Sequence, residues 1–350
     1  MFIIVAILVF GILIAVHELG HFIMAKACGV KVNEFSIGMG PAIFKKQKGE
    51  TLYSLRLIPI GGYCAMEGED EDSEDPRSFG SKNPIQKILI LVAGSFMNFM
   101  TGLLIVVILF SSYSAFASNE IAGFAEGFEL SGENGLMAGD KIISVDGEKI
   151  HYADDFSVFM ARANGKNVDI VVNRGGKTVT LRDFPLQLRE YTSDGVTSRR
   201  YGINFGLIEG NFFSRLQYSF YTAGNFVRDV RMGLGDLITG RAGIEDMAGP
   251  VGIVTVISDV AEQSDTVRTA IMNVAYLCAF LAINLAVMNM LPIPALDGGR
   301  VFFVLINAVY TLITKKTIDP KYEGYIHTVG LILLLALMAV VMFNDIRRLI

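Results

Sequence analysis

The sequence predicts a polytopic α-helical membrane protein of about four transmembrane helices, with a small membrane-associated β-sheet and an inserted α/β domain. Two observations predict it. Apolar residues make up 52% of the 350-residue chain against 19% charged, and they gather into four blocks near the roughly 20 residues that a helix needs to cross a bilayer. A long, more polar stretch separates the second block from the third and is large enough for one domain outside the membrane. The lipid bilayer is therefore the first partner. The net charge of −5, with no basic cluster interleaved with aromatics, argues against nucleic acid. Cys28, Cys64 and Cys278 show neither CxxC spacing nor a disulfide framework.

The first element, residues 1–30, begins MFIIVAILVFGILIAV. Followed by Ala25-Lys26-Ala27, such a run resembles a cleaved signal peptide. No basic segment precedes it, and two histidines and a glutamate interrupt it, so a retained transmembrane helix is the expectation. Within it, His17-Glu18-Leu19-Gly20-His21 reads H-E-x-x-H. On a helix, positions i and i+4 lie about 6 Å apart along the axis on nearly one face, so both imidazoles can reach one Zn²⁺. Glu18 is turned about 100° from His17, close enough to act as general base on a water at the ion without ligating it. The chain has four histidines, and two fall at ligand spacing around a glutamate. Ionisable groups inside an apolar helix are costly unless paired or functional. A chance match is the weaker reading.

Residues 31–66 scatter Gly38, Gly40, Gly49, Gly61 and Gly62 among alternating apolar segments such as Tyr53-Ser54-Leu55-Arg56-Leu57. This predicts a membrane-associated β-hairpin or small sheet, with a plain cytoplasmic loop as the alternative. Residues 67–84 form an acidic cytoplasmic loop: seven carboxylates fall between Glu67 and Asp75, at no calcium-loop spacing. The second transmembrane helix covers 85–112. The domain at 118–190 looks like a PDZ domain: GDKIISVDG at 139–147, a helical stretch at 154–163, then strands around Val168–Val172 and Thr178–Leu181. Such grooves bind extended peptides by strand addition, and a rigid plug is the alternative. Over 211–240, apolar residues recur three or four apart from Phe213 to Leu237, predicting an amphipathic interfacial helix. A helix packed on the preceding domain is the other possibility.

The third transmembrane helix, 268–300, ends in Asn289-Met290-Leu291-Pro292-Ile293-Pro294-Ala295-Leu296-Asp297-Gly298-Gly299. Pro-x-Pro stops a helix by removing amide donors and crowding earlier carbonyls. A carboxylate on irregular backbone at membrane depth is tolerated only where it is buried in protein or lines a cavity. Alone, Asp297 could simply cap the next turn. With H-E-x-x-H at similar depth it becomes the third metal ligand, and three protein ligands with an open position is the catalytic zinc pattern. The fourth transmembrane helix covers 325–345. His151 and His327 have no ligand-like neighbours in sequence and are expected to be structural.

Orientation follows from positive charge. Segment 28–84 carries Lys31, Lys45, Lys46, Lys48, Arg56, Arg77 and Lys82, and segment 292–325 carries Arg300, Lys315, Lys316 and Lys321. Both are expected on the cytoplasmic side, which leaves the inserted domain outside and the metal ligands toward the cytoplasm. With four crossings the C-terminus would face outside, against which Arg347 and Arg348 count mildly.

The two motifs together resemble the site-2 protease family of intramembrane zinc metalloproteases, in particular its bacterial regulator-of-sigma-E protease (RseP-like) branch, here with a single PDZ domain. The likeness runs through HELGHF at 17–22, FSIGMGP at 35–41, RLIPIGGYCAMEGED at 56–70, GDKIISVDG at 139–147, GPVGI at 249–253 and NMLPIPALDGGR at 289–300. The resemblance implies zinc held by His17, His21 and Asp297, Glu18 as general base, and Asn289 near the substrate backbone or oxyanion. It also implies a bacterial inner-membrane setting and single-pass substrates such as anti-sigma factors or remnant signal peptides. An upstream site-1-type protease would act first. AGSFMNF at 93–99 departs from the expected AGP before the Asn, so kinking of the second helix could differ.

Two rivals remain. A catalytically silent membrane PDZ scaffold with a structural zinc has no use for Glu18. A transporter relaying ions through these side chains predicts inverted repeats, which the sequence lacks.

Overall fold

The computed structural model describes residues 2–69, 73–193, 196–316 and 318–349. In chain order its elements are α1 (Phe2–Ala27), β1 (Val32–Lys48), β2 (Thr51–Met66), α2 (Pro84–Phe110), β3 (Ala115–Phe124), β4 (Lys141–Val145), β5 (Glu148–Lys149), α3 (Ala153–Ala163), β6 (Val168–Arg174), β7 (Lys177–Phe184), β8 (Arg189–Ser193), β9 (Val196–Arg200), β10 (Ile203–Glu209), α4 (Phe212–Thr239), α5 (Pro250–Glu262), α6 (Val267–Asn289), α7 (Asp297–Thr314) and α8 (Pro320–Leu349). The chain divides into two units, one of residues 1–109 and 226–350, the other of residues 110–225.

Among the described residues of the first unit, five helices are long and apolar enough to cross a membrane: α1, α2, α6, α7 and α8. The chain is a multi-pass membrane protein, and helices suit that solvent because each satisfies its own backbone polar groups. The fifth, α7, lies within 292–325, where the sequence predicts a cytoplasmic segment with no crossing past residue 300. Its 18 residues fall just short of the ~20 of a full crossing, and Asp297 and Arg300 dilute the apolar signal at its start. Phe302, Leu305, Val309 and Leu312 nevertheless recur at helical spacing and stay exposed. The predicted third helix, 268–300, is thus two helices, α6 and α7, separated by the turn that Pro292 and Pro294 impose. By contrast α2 runs unbroken through Ser95.

Glycines let these helices meet backbone to backbone. A β-carbon at position 20 would lie 2.3 Å from the Ala93 carbonyl oxygen, joining α1 to α2. One at position 102 would lie 2.9 Å from the Ala279 carbonyl oxygen, joining α2 to α6. Where lipid is as apolar as the side chains, such close packing is what draws helices together.

β1 and β2 form a long antiparallel hairpin, paired from Val32 with Met66 to Lys48 with Thr51 and broken by bulges. A lone hairpin is marginal in water; this one lies against α1, where a β-carbon at Gly11 would come within 2.5 Å of the Pro59 carbonyl oxygen. Arg56 stitches it internally, donating to Glu34 Oε1 at 2.7 Å, Gly40 O at 2.7 Å and Ser36 Oγ at 3.0 Å. Ile43, Phe44 and Leu57 remain exposed. The acidic loop beyond is partly tied down. Glu67 accepts from Ser73 at 2.7 Å, Asn33 at 3.0 Å and Lys31 at 3.1 Å, and these donors, Ser73 foremost, hold its carboxyl at about 2. Glu69 pairs with Arg300. The acidic positions 70–72 lie outside the described residues.

α5 carries the GPVGI segment. Asp345 of α8, 3% exposed, accepts from the Gly249 and Gly252 amides at 3.2 and 2.8 Å. These are among the amides that a helix start leaves without an internal partner, and a buried carboxylate there is both hydrogen-bonded and favoured by the helix dipole.

The second unit holds a six-stranded sheet in the order β10-β3-β4-β6-β7, with β5 beside β4. It takes in β10, past the 118–190 range read from sequence. Ile121, Leu136, Ile142, Phe156, Met160 and Ile170 form its fully buried centre. Asp155 accepts the His151 amide at 2.7 Å as α3 begins, and Asn225 of α4 donates to it at 2.6 Å. His151 stacks on Tyr221 at 4.4 Å, so the start of α4 packs on α3.

Candidate metal centre

His17 and His21 sit one turn apart on α1, 8% and 5% exposed, in a helix that is apolar apart from Glu18 and Lys26. Asp297 is the first residue of α7, beyond the proline turn. The fold brings these three together. His17 Nε2 lies 3.1 Å and His21 Nε2 3.4 Å from Asp297 Oδ2, and the two imidazole nitrogens lie 3.2 Å apart. Among the described residues this is the group of His, Cys, Asp and Glu that could share a metal ion.

The donor set fits zinc. Tetrahedral bonds of 2.0–2.1 Å separate neighbouring ligand atoms by about 3.3 Å, and the three observed separations bracket that value. Asp297 Oδ2 is buried with no hydrogen-bond donor turned to it, an arrangement that a cation resolves. Two imidazoles and one carboxylate leave a fourth position open, and the set favours zinc over calcium or magnesium.

Each histidine is steadied through its other nitrogen. His21 Nδ1 donates to the Ile90 carbonyl at 2.8 Å, which fixes the tautomer and leaves Nε2 as the ligand atom. Asn98, fully buried on α2, brings its amide to 3.5 Å from His17 Nδ1, while its Oδ1 is buried without a partner. An amide's oxygen and nitrogen exchange places by a simple flip. With Oδ1 facing His17, the side chain accepts the Nδ1 proton and leaves His17 Nε2 free for a metal ion.

Gly94 makes room for the pair. A β-carbon there would lie 2.3 Å from His21 Nε2 and 2.8 Å from His17 Cε1, inside the space an ion and its ligands need. Glu18, half-buried on the neighbouring face of α1, takes a hydrogen bond from the Cys64 backbone. A β-carbon at Gly62 would touch its Cγ at 3.5 Å. The Glu18 carboxylate thus stands between the His17–His21–Asp297 cluster and β2. Asn289 is the last residue of α6, half-buried ahead of the proline turn.

Three contributors had escaped sequence reasoning: Gly94, Asn98 and the Ile90 carbonyl. A signal existed for Asn98, since an amide inside an apolar helix needs a partner. Gly94 and Ile90 carried none, because their part depends on which turn of α2 faces α1.

Comparison with known proteins agrees with this geometry. The model of peptidase family M50 matches residues 5–337. A Clostridium perfringens protein bearing a zinc metalloprotease name is 39% identical over 348 residues, covering 99% of this chain and 98% of that protein. The regulator of sigma-W protease RasP of Bacillus subtilis is 29% identical over 424 aligned positions, covering 98% and 97%. The zinc metalloprotease RasP of Bacillus licheniformis is 29% identical over 98% of each chain. On a family match through nearly the whole chain and relatives named for the same metal and chemistry, the chain belongs to peptidase family M50, the site-2 protease family, and is a zinc metalloprotease.

Proposed function

We propose that this protein hydrolyses peptide bonds within or near the transmembrane segment of membrane-anchored proteins, in regulated intramembrane proteolysis. One observation carries the reading: ligand atoms of His17, His21 and Asp297 meet within 3.1 to 3.4 Å of one another, with Glu18 on the same helix beside them.

In this reading His17, His21 and Asp297 hold zinc, which when bound polarises the scissile carbonyl and makes water acidic enough to deprotonate near neutral pH. Glu18 takes the proton from the attacking water and returns it to the leaving amine. Asn289 contacts the substrate backbone or the developing oxyanion. A helical substrate hides its amides in its own hydrogen bonds, so it must unwind before attack. The hairpin of β1 and β2, lying against the α1 face that carries Glu18, takes up the freed amides by strand addition.

The second unit is a single PDZ-like domain. Its edge strand β10 and helix α3 share the packed ring pair Phe156 and Phe205, 5.3 Å apart, and the free edge of β10 is where an extended peptide would add. It stands outside the membrane and screens substrates already trimmed by an upstream site-1-type protease. α4 is amphipathic and lies along the outer membrane surface. The protein sits in the bacterial cytoplasmic membrane with four full crossings, α7 starting at the depth of the metal ligands, and its active site toward the cytoplasm. Single-pass proteins such as anti-sigma factors, or remnant signal peptides, are the substrate class.

The test uses purified protein in detergent and a single-pass anti-sigma factor already trimmed on its outer side. The native protein cleaves it; Glu18→Gln abolishes cleavage and keeps zinc. Cleavage that survives Glu18→Gln removes the mechanism. A native protein that holds zinc and cuts no such substrate is a scaffold instead.

A further inference from the structure

His327 has no ligand-like neighbour in sequence and is predicted to be a structural histidine. It lies on α8, a helix apolar enough to cross a membrane, where a polar side chain needs a partner. The partner is a backbone amide: Ala295 N–H donates to His327 Nδ1 at 2.9 Å. Ala295 stands two residues before Asp297 and adopts φ +74°, a left-handed conformation that a residue with a β-carbon takes only when its surroundings hold it there.

α8 grips the same turn a second time. Gly330, one turn further on the same face, has no room for a side chain: a β-carbon there would lie 2.4 Å from Pro294 Cβ and 2.9 Å from the Pro294 carbonyl oxygen. From the other side, the turn folds onto the first glycines of α7. A β-carbon at Gly298 would strike the Met290 carbonyl at 2.3 Å, and one at Gly299 the Ile293 carbonyl oxygen at 2.3 Å. The turn from Met290 to Leu296 is therefore clamped between α7 and α8. Its one side-chain tether to α8 among the hydrogen bonds described is His327.

We propose that His327 is a positioning residue for the metal centre: by accepting the Ala295 amide it holds the left-handed turn that aims the Asp297 carboxylate at His17 and His21. It does not touch the ion. The lone pair on Nδ1 does the holding, so the Nε2–H tautomer is the working form, and Nε2 lies 3.9 Å from Glu323 Oε1 on the next turn of α8. This inference rests on Asp297 being a zinc ligand.

The experiment measures zinc release to a chromogenic chelator and the melting temperature of the metal-free protein, both on full-length protein in detergent. His327→Leu removes the acceptor and is expected to release zinc roughly tenfold faster, with the metal-free melting temperature close to that of the native protein. His327→Asn, whose Oδ1 can stand where Nδ1 stood, restores slow release; His327→Gln, reaching one bond further, does not. Ala295→Gly in the His327→Leu background also restores slow release, because glycine takes the left-handed conformation without a tether. Release from His327→Leu at the native rate overturns the proposal, as does equal behaviour of the Asn and Gln variants. A matching drop in metal-free melting temperature with unchanged release assigns His327 a packing role and overturns it too. Asp297→Ala is the control: if it releases zinc as slowly as the native protein, the ligand reading falls and this proposal with it.

Discussion

The two halves of the metal centre are built in opposite ways. On the α1 side, ordinary helix geometry supplies both candidate ligands: His17 and His21 are one turn apart, and neighbouring α2 adds Gly94 for space, the Ile90 carbonyl for His21 and Asn98 for His17. On the Asp297 side, nothing regular supplies the ligand. A proline turn with a left-handed alanine hands the carboxylate to the first position of α7, and contacts from α7 and α8 hold that turn in place. A ligand on a helix inherits its position from the helix. One on a turn must have its position imposed by residues elsewhere in the chain.

Substitutions that leave every ligand in place probe this contrast. The largest effect belongs to the helical half. Gly94→Ala inserts a β-carbon 2.3 Å from His21 Nε2, so zinc content, read by elemental mass spectrometry, should drop from about one per chain to near zero. A fully loaded Gly94→Ala protein would show that α2 yields more easily than its packing suggests. Next comes the turn. Gly298→Ala sets a β-carbon against the Met290 carbonyl at 2.3 Å, and zinc affinity should weaken by roughly a hundredfold. If Gly298→Ala binds zinc normally, the turn is looser than its contacts imply and the contrast fails.

A smaller effect is expected at Asn98. Asn98→Leu removes the acceptor for His17 and should weaken zinc binding by about tenfold, whereas Asn98→Asp keeps an acceptor and should lose less. Equal losses in competition titrations would mean that Asn98 acts by packing alone. Smallest is Ala295→Gly in the native background. Relief of the left-handed β-carbon contact, about 1–2 kcal/mol, is offset by the ~0.5–1 kcal/mol of backbone freedom that glycine loses. A net stabilisation of about 0–1.5 kcal/mol should appear in thermal melts, with zinc affinity unchanged.

The same contrast explains what was legible in the sequence. H-E-x-x-H can be read because helix spacing is a local property, and Asp297 because Pro-x-Pro before a carboxylate is a local anomaly in an apolar helix. Gly94, Asn98 and His327 act across 69 to 81 residues or by meeting a turn 32 residues away, and no local pattern encodes which turn of one helix faces another. α7 escaped because it is short and begins with charge. The hairpin over 31–66 was readable because its glycines and alternating residues report strand geometry directly, and β1 with β2 covers that stretch almost residue for residue.

The Cys64 backbone holds Glu18, and Cys64 belongs to the hairpin. Any load on that ribbon is felt by Glu18, so in the proposed reading docking and chemistry share one piece of main chain. If substrate docks on the ribbon as proposed, a guest that seats poorly disturbs the carboxylate proposed to deprotonate the attacking water, and selectivity of this kind requires no separate gate.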